Sequence, residues 1–323
     1  MITAQAYAKI NITFEVLGRR KDGYHDIASV LQEIDLKDDL KFELAPSLGI
    51  ECDDAALRSS DNLVLKAARL LQQEAAYKGG AKITLRKGIP VAAGLGGGSS
   101  DAAAALMGLN KLWKLKLSID SLTELAAALG SDVPYFIHGG TALAEGRGER
   151  IIQLSPLPRS WVVLLKPSVP IPEPKTKAMY GALTSSHYSD GEHTNRLVSA
   201  IEHGIGGDTA SVEPRNKSDQ PPVSPSLGGF YKNGGHPQTP GRKNPSPLFP
   251  MYNTFDAVAF KMYEGMEWYW KQFLSAGAPE VHLAGAGPTL FTLLSGRKQA
   301  EGIYRSLSGL GLETYIVQTV KRA

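Results

Sequence analysis

A stretch of glycines and small residues at positions 90–105 restricts the fold more than any other part of the chain. It reads PVAAGLGGGSSDAAAA, with glycine at positions 94, 96, 97 and 98. Glycine has no side chain to keep a polyanion away from the backbone. Ser99, Ser100 and Asp101 are helix N-cap residue types, and leucines at helical spacing follow them. A glycine loop that opens a helix gathers unpaired N–H groups at the positive end of the helix dipole. The stretch therefore predicts a site for the phosphates of a nucleoside triphosphate.

Two familiar phosphate loops do not match this stretch. Counted from Gly94, the pattern GxxxxGK[ST] requires Gly and Lys where Ser99 and Ser100 stand. The dinucleotide pattern GxGxxG requires a third glycine at the position of Ser99. A flexible glycine linker before an ordinary helix is the alternative interpretation. We favour a phosphate loop because Pro90 and a strong helix start bound the glycines closely, which is not typical of linkers.

Composition is that of a globular protein. The 323 residues, 42% of them apolar and 21% charged, suffice for one large or two medium domains. A net charge of +3 without a dense Lys/Arg run gives no reason to expect a nucleic-acid or membrane partner. Cys52 is the only cysteine, which excludes intrachain disulfides and cysteine-based zinc sites. The N-terminus does not read as a signal sequence, and no apolar run approaches the ~20 residues of a membrane span. We therefore expect a cytoplasmic protein.

Pro156 and Pro158 predict a domain boundary near residue 158, which divides the chain into residues 1–158 and 159–323. Residues 4–17 alternate between apolar and polar side chains, which is typical of a strand. Apolar and aromatic residues at helical spacing predict one helix over 255–274.

Residues 204–250 differ in character from the rest of the chain. They contain nine prolines and several paired glycines but few aliphatic side chains. Such a segment buries too little apolar surface to offset its ordering entropy, so we expect a disordered or loosely packed insertion.

Three polar residues suggest phosphoryl transfer to an alcohol. Lys9 and Asn11 lie two apart on the first strand and share one face, and Asp132 follows the helix stop at Gly130. An aspartate can accept a hydroxyl proton while a lysine stabilises charge on the phosphoryl group. The alternatives are a solvated strand face for Lys9 and Asn11 and a helix cap for Asp132.

Tyr24 and His25 follow a charged turn and are candidates for binding a nucleobase. Tyrosine stacks on a base and histidine hydrogen-bonds to it, although a turn with an aromatic plug explains the pair equally well. The histidines lack metal-binding spacing, and no GxSxG elbow is present, so neither a protein-ligated metal cluster nor serine hydrolysis is indicated.

Three segments together resemble the family of galactokinase, homoserine kinase, mevalonate kinase and phosphomevalonate kinase. They read AYAKINITFEVLGRRKDGYH, PVAAGLGGGSSDAAAA and LAGAGPTLF. The segments AKIN, LGRRKDGYH, LGSDVPYF and GTALAEGRGE are most similar to the members that phosphorylate 4-diphosphocytidyl-2-C-methyl-D-erythritol in non-mevalonate isoprenoid synthesis. The resemblance covers residues 4–203 and 251–320. It implies an α+β, two-lobed small-molecule kinase fold, with a glycine-loop ATP-binding N-terminal lobe and a ferredoxin-like C-terminal lobe.

The resemblance also implies roles for individual residues. Lys9 and Asp132 would be the catalytic pair, and the reaction would move the γ-phosphoryl group of ATP onto the 2-hydroxyl of this cytidine-diphosphate alcohol. The remaining expected site residues are Pro90, Val91, Ala92, Ala93, Gly94, Leu95, Gly96, Gly97, Gly98, Ser99 and Ser100 for ATP, Asn11, Tyr24, His25 and Tyr188 for the alcohol, and Gly285, Ala286, Gly287, Pro288 and Thr289 for the C-terminal motif. Mg²⁺ would accompany ATP, with an oxygen from Ser99 or Ser100, and no protein carboxylate is assigned to it.

The third motif departs from the family pattern, which is roughly SGSGPT, because Ala284 and Ala286 replace its serines. Both replacements are small, so we expect the backbone path to persist without the hydroxyl contacts. Two alternatives stay open. One is a sister kinase that acts on homoserine, mevalonate or a sugar, and the other is a non-catalytic nucleotide-binding module.

Overall fold

The computed structural model of the chain describes residues 1–203 and 249–322. The strands are β1 (Ile2–Arg19), β2 (His25–Ala45), β3 (Gly49–Cys52), β4 (Gly80–Arg86), β5 (Thr141–Gly146), β6 (Arg150–Gln153), β7 (Trp161–Leu165), β8 (Tyr252–Asn253), β9 (His282–Leu283), β10 (Leu290–Leu294) and β11 (Thr314–Gln318). The helices are α1 (Leu63–Glu74), α2 (Gly97–Leu112), α3 (Ile119–Leu129), α4 (Val133–His138), α5 (Lys175–Gly181), α6 (Glu192–His203), α7 (Asp256–Met262), α8 (Met266–Ser275) and α9 (Arg297–Gly309). The predicted insertion at 204–250 lies outside the described residues except for its last two.

The first sheet is built around the long antiparallel pair β1 and β2. Its order is β3-β4-β2-β1-β8, and β5 pairs with both β2 and β6. Helices α1 to α4 belong to this lobe, and α1, α2 and α4 contribute buried residues to one core with β2 and β4. β1 is buried on both faces along its central part, and on one of them Ala8, Ile10 and Ile12 share a core with Val162 and Leu164 of β7.

The second sheet has the strand order β11-β7-β10-β9, and every pairing in it is antiparallel. If these four strands are numbered from 1 to 4 in chain order, their order in the sheet is 4-1-3-2. Helices connect strand 1 to strand 2 and strand 3 to strand 4. This βαββαβ arrangement is the ferredoxin-like lobe expected from the sequence.

Two segments of the second half of the chain return to the first sheet. β8 pairs in parallel with β1. At the C-terminus, the Val320 N–H donates to the Glu33 carbonyl, and the Arg322 guanidinium makes two hydrogen bonds, 2.6 and 2.7 Å, with the buried Glu33 carboxylate. Phe249 is also buried in the core, although it lies inside the range assigned to the insertion. The boundary at 158 remains a prediction.

Two local expectations were wrong. The segment 255–274 forms two helices, α7 and α8, because Gly265 takes a left-handed backbone (φ +82°) while the apolar spacing continues across the break. Ser99, Ser100 and Asp101 do not cap α2. The N-cap is Gly96 (φ +74°), which has no side chain to accept a bond from the first N–H groups of the helix.

None of the helices in residues 1–203 and 249–322 combines the length and the apolar character needed to cross a membrane.

Candidate active site

A cavity of about 1440 Å³ collects most of the expected site residues. Its lining includes Lys9, Asn11, Tyr24, His25, Asp132, Tyr188, Gly285, Ala286 and the whole loop from Pro90 to Ser99. Ser100 does not line it, being buried inside the first turn of α2, and neither do Gly287, Pro288 and Thr289. Residues from both lobes therefore face one space.

Lys9 and Asp132 meet in this cavity. Lys9 Nζ lies 3.8 Å from Asp132 Oδ2 and donates a 2.7 Å hydrogen bond to Asn11 Oδ1. The lysine is only 5% exposed, which rules out the solvated strand face. Burial lowers the pKa of Lys9, and the charge of Asp132 opposes that shift. The arrangement places an ammonium group and a carboxylate at one point, as phosphoryl transfer to an alcohol requires.

Asn11 is held in one orientation by β1 and β2. Its Nδ2 donates to Ser29 Oγ at 2.8 Å, and that hydroxyl donates to the Thr13 carbonyl at 2.6 Å. With the amide nitrogen committed to β2, the amide oxygen faces Lys9. This chain of hydrogen bonds fixes the position of the lysine ammonium group.

Asp132 stands directly before α4 but does not cap it. Its side chain accepts no capping hydrogen bond, although it occupies the N-cap position. The side chain is 48% exposed and lines the cavity. A structural cap therefore does not account for this aspartate.

The glycine loop passes between Lys9 and α2. The Lys9 N–H donates to the Leu95 carbonyl at 3.0 Å, which ties the loop to β1. Gly97 and Gly98 form the first turn of α2. Because no side chain caps this turn, its N–H groups are available to an anion.

The C-terminal motif packs against the loop with no room for side chains. A Cβ at Gly94 would lie 2.2 Å from the Ala284 carbonyl oxygen, and one at Gly285 would lie 3.1 Å from Lys9 Nζ. Asn253 Nδ2 supports this path by donating to the carbonyls of Leu283 and Gly285, both at 2.8 Å. Ala284 is fully buried and its backbone forms part of the contact.

An aromatic cluster, formed by Tyr24, His25, Tyr180 and Tyr188, lines another part of the cavity. Tyr188 and His25 approach edge to face, with the hydroxyl 3.3 Å from Nε2. The ring of Tyr180 stacks on His25 with a centroid distance of 4.7 Å. Tyr24 is 57% exposed, and the Arg147 guanidinium lies 5.0 Å from its ring centre. Burial and the charge of Arg19 lower the pKa of His25, so its imidazole is neutral at pH 7.

Sequence reasoning missed an ion cluster beneath the loop. Lys87 Nζ contacts the carboxylates of Asp38 and Asp101 at 2.5 and 2.8 Å, and Asp38 also accepts the N–H groups of Gly88 and Ile89. Burial raises the pKa of Asp101 to about 7. The cluster joins β2, the start of the loop and α2. Lys87 lies 49 positions after Asp38 and 14 before Asp101, so no local pattern signals the cluster.

Lys175 was also missed. It lines the cavity and contacts both the glycine loop and the C-terminal motif. It lies in a proline-rich stretch, PSVPIPEPK, that matches no motif, and its neighbours in space are 83 and 112 residues away in sequence.

Comparison with known proteins identifies the family. Residues 62–140 match the GHMP kinases N terminal domain, and residues 246–311 match GHMP kinases C terminal. Proteins named 4-diphosphocytidyl-2-C-methyl-D-erythritol kinase are 38% identical in Dehalococcoides mccartyi strain BAV1, over 99% of both chains, and 36% in Bacillus pumilus, over 99% of this chain and 97% of the relative. The chain belongs to this kinase family. It is an ATP-dependent small-molecule kinase, as the three motifs predicted.

Solved structures of GHMP kinases share the fold. A crystal structure of 4-(cytidine 5'-diphospho)-2C-methyl-D-erythritol kinase matches with a TM-score of 0.73 at 26% identity, covering 99% of this chain and 100% of that one. Homoserine kinase from Cytophaga hutchinsonii matches with a TM-score of 0.66 at 15% identity, covering 99% and 95%. The expected two-lobed α+β kinase fold is thereby confirmed.

Among the residues that the structure describes, no group of three or more His, Cys, Asp or Glu side chains could hold a metal ion. Ser99 lines the cavity at the start of α2 and offers a hydroxyl oxygen there.

Proposed function

We propose that this kinase transfers the γ-phosphoryl group of ATP to the 2-hydroxyl of 4-diphosphocytidyl-2-C-methyl-D-erythritol, with Lys9 and Asp132 as its catalytic pair. The meeting of these two residues, 3.8 Å apart, between the glycine loop and the aromatic cluster carries the proposal. The identity of its relatives supports the choice of substrate.

The Asp132 carboxylate accepts the proton of the acceptor hydroxyl. The hydroxyl oxygen forms the new bond to the γ-phosphorus, and the bond to the bridging oxygen breaks to release ADP. The Lys9 ammonium stabilises the negative charge on the phosphoryl oxygens during this exchange. Asn11 lies next to the acceptor hydroxyl and orients the ammonium group through its amide oxygen.

The aromatic cluster binds the cytosine. Tyr24 and Tyr188 offer ring faces for stacking, which contributes about 1–3 kcal/mol per base. A neutral His25 imidazole accepts a hydrogen bond from the exocyclic amino group of the base. These features favour a cytidine substrate over homoserine, mevalonate or a sugar, none of which carries a flat ring to stack.

ATP places its phosphates against the glycine loop, Pro90–Ser100, and the first turn of α2. Gly285–Thr289 form the motif that closes on this loop. Mg²⁺ accompanies the nucleotide and neutralises phosphate charge when bound. Ser99 fits as its protein ligand, because a hydroxyl oxygen is a ligand that Mg²⁺ accepts and this one faces the cavity. Ser100 does not fit, because it is buried in the helix. The cytoplasmic location expected from the sequence remains part of this proposal.

The test is ADP release with Mg-ATP and four acceptors: the cytidine-diphosphate alcohol, homoserine, mevalonate and galactose. We expect turnover with the first alone, phosphorus NMR of the product to place the new phosphate on the 2-hydroxyl, and Lys9→Ala to abolish turnover. Turnover with another acceptor alone would identify a sister kinase. ATP binding without turnover on any acceptor would identify a non-catalytic nucleotide-binding module.

A further inference from the structure

Lys175, the first residue of α5, bridges two backbone segments of the site. Its Nζ donates to the carbonyl of Ala92 in the glycine loop at 2.9 Å and to the carbonyl of Gly287 in the C-terminal motif at 2.8 Å. These two segments also touch directly, through the Thr289 N–H and the Ala93 carbonyl. The ammonium group therefore lies where the glycine loop of the first lobe meets the C-terminal motif of the second.

The two carbonyls create an electrostatic difficulty for an anionic ligand. They converge on one point at the rim of the phosphate loop, where their negative ends would repel a triphosphate. A lysine ammonium at that point cancels the repulsion and adds a positive charge. Ala92 also has a left-handed backbone (φ +56°), an uncommon conformation for a residue with a side chain. The bond from Lys175 to its carbonyl stabilises this conformation.

The ammonium group retains binding capacity. A lysine has three N–H donors, and the contacts within residues 1–203 and 249–322 occupy two of them. Lys175 lines the same cavity as Lys9, and the two positive charges influence each other. Two ammonium groups facing one space suit a ligand with several negative charges.

We propose that Lys175 positions the triphosphate of ATP: it fixes the glycine loop to the C-terminal motif and presents its third N–H to the phosphates. The inference rests on the proposed function, since it takes ATP to bind along the loop. It adds to that function a residue outside the three motifs.

The charge state of Lys175 supplies a signature of this role. Burial and the positive charge of Lys9 on β1 together lower its pKa to about 8, against the opposing effect of Asp132 at the start of α4. A triphosphate placed beside it favours the charged form, so its pKa rises on binding. At pH 8, where free ATP is fully ionised, we expect binding to take up about half a proton at this residue.

The experiment uses the full chain with Lys175→Met, Lys175→Arg and a control, Lys271→Met. Lys271 is exposed on α8 and pairs only with Glu267 among the described residues, so its loss is expected to change nothing. Calorimetry with a non-hydrolysable ATP analogue and Mg²⁺, without the alcohol, gives the affinity. Repeating it at pH 8 in buffers of different ionisation enthalpy gives the proton uptake.

We expect Lys175→Met to weaken analogue binding by about tenfold or more, as the loss of a hydrogen bond to a charged group does. Proton uptake should fall relative to the wild type, and Lys175→Arg should restore most of the affinity. In turnover, the KM for ATP should rise while the KM for the alcohol stays within about twofold.

Unchanged analogue affinity in folded Lys175→Met overturns the inference. So does an equal loss of affinity for both substrates together with lower thermal stability, which would mark a purely structural bridge. Because the calorimetry needs no acceptor, a wild type that binds ATP but does not phosphorylate the alcohol refutes the proposed function alone. A wild type that does not bind the analogue refutes both.

Discussion

Replacing Asp132 with asparagine tests the proposed chemistry most directly. The change keeps the shape of the side chain and removes its charge and its capacity to accept a proton. Because Asp132 makes no capping hydrogen bond, the fold should be unaffected. Loss of a positioned general base lowers turnover by about 10²- to 10⁴-fold, and we expect kcat to fall within that range.

The geometry separates this effect from a merely electrostatic one. At 3.8 Å, Lys9 and Asp132 would attract each other by ~4 kcal/mol at an effective dielectric constant of about 20. The Asp132 side chain is 48% exposed, so solvent screening reduces this attraction to ~1 kcal/mol, equivalent to about fivefold in rate. A charge partner alone therefore accounts for a small loss and a proton acceptor for a large one.

The assay is the initial rate of ADP formation at saturating Mg-ATP and alcohol, measured from pH 6 to 10. Without Asp132 to oppose the effect of burial, the pKa of Lys9 falls further, so the alkaline decline of kcat should move to lower pH. Asp120→Asn, at an exposed position in the first turn of α3, is the matched control. The affinity of Asp132→Asn for ATP should differ from that of the wild type by less than about threefold. A fall in kcat of only about fivefold would refute the role of Asp132 as proton acceptor and leave it as a partner for the lysine charge.

Three further predictions concern the base, the loop and stability. Tyr188→Ala should raise the KM for the alcohol by about five- to 100-fold and leave the KM for ATP unchanged. An equal rise in both KM values would contradict a stacking role. Gly94→Ala should abolish ATP binding in calorimetry, because its Cβ would lie 2.2 Å from the Ala284 carbonyl, whereas Gly302→Ala on α9, where no heavy atom lies within 4 Å of the new Cβ, should bind normally. Burial alone would lower the pKa of His282, the first residue of β9, but the carboxylates of Asp256, 2.7 Å from its Nδ1, and Glu280 raise it to about 9. The contribution of this charged imidazole to stability is complete below pH 6.5 and disappears as pH rises through 9. Urea unfolding should therefore show the protein losing roughly 1–3 kcal/mol more than His282→Gln between pH 6.5 and 10.

Sequence patterns predicted those parts of the site whose residues lie close to one another in the sequence. The alternation of β1 put Lys9 and Asn11 on one face, where they are hydrogen-bonded, and the glycines predicted an anion site at the start of α2. These predictions depend on neighbours within a few positions, where backbone geometry decides the outcome. The ferredoxin-like order of the second sheet came from family resemblance, since strand patterns contain no information about which strands pair.

The residues that were missed act through contacts distant in sequence. Lys175 and the cluster of Lys87, Asp38 and Asp101 are ordinary charged residues until the fold brings them beneath or beside the loop. The wrong cap for α2 has a different cause. Helix propensity disfavours glycine, so the pattern predicted that the helix begins after Gly98, whereas the helix begins on the glycines.

The return of the C-terminal residues and of β8 to the first sheet limits how the protein can move. Swinging the lobes apart as rigid bodies would detach Arg322 from Glu33 and leave a fully buried carboxylate without its cation. Breaking such a pair costs about 3–5 kcal/mol, so a state opened in this way would hold roughly one molecule in 10²–10⁴. The pairing of β8 with β1 and the contact of Arg322 with Glu33 therefore hold the two sheets together behind the cavity. We therefore expect substrates to enter and ADP to leave through movement of the rim, at the loop and the motif that meet at Gly94, while the sheets behind them stay in register.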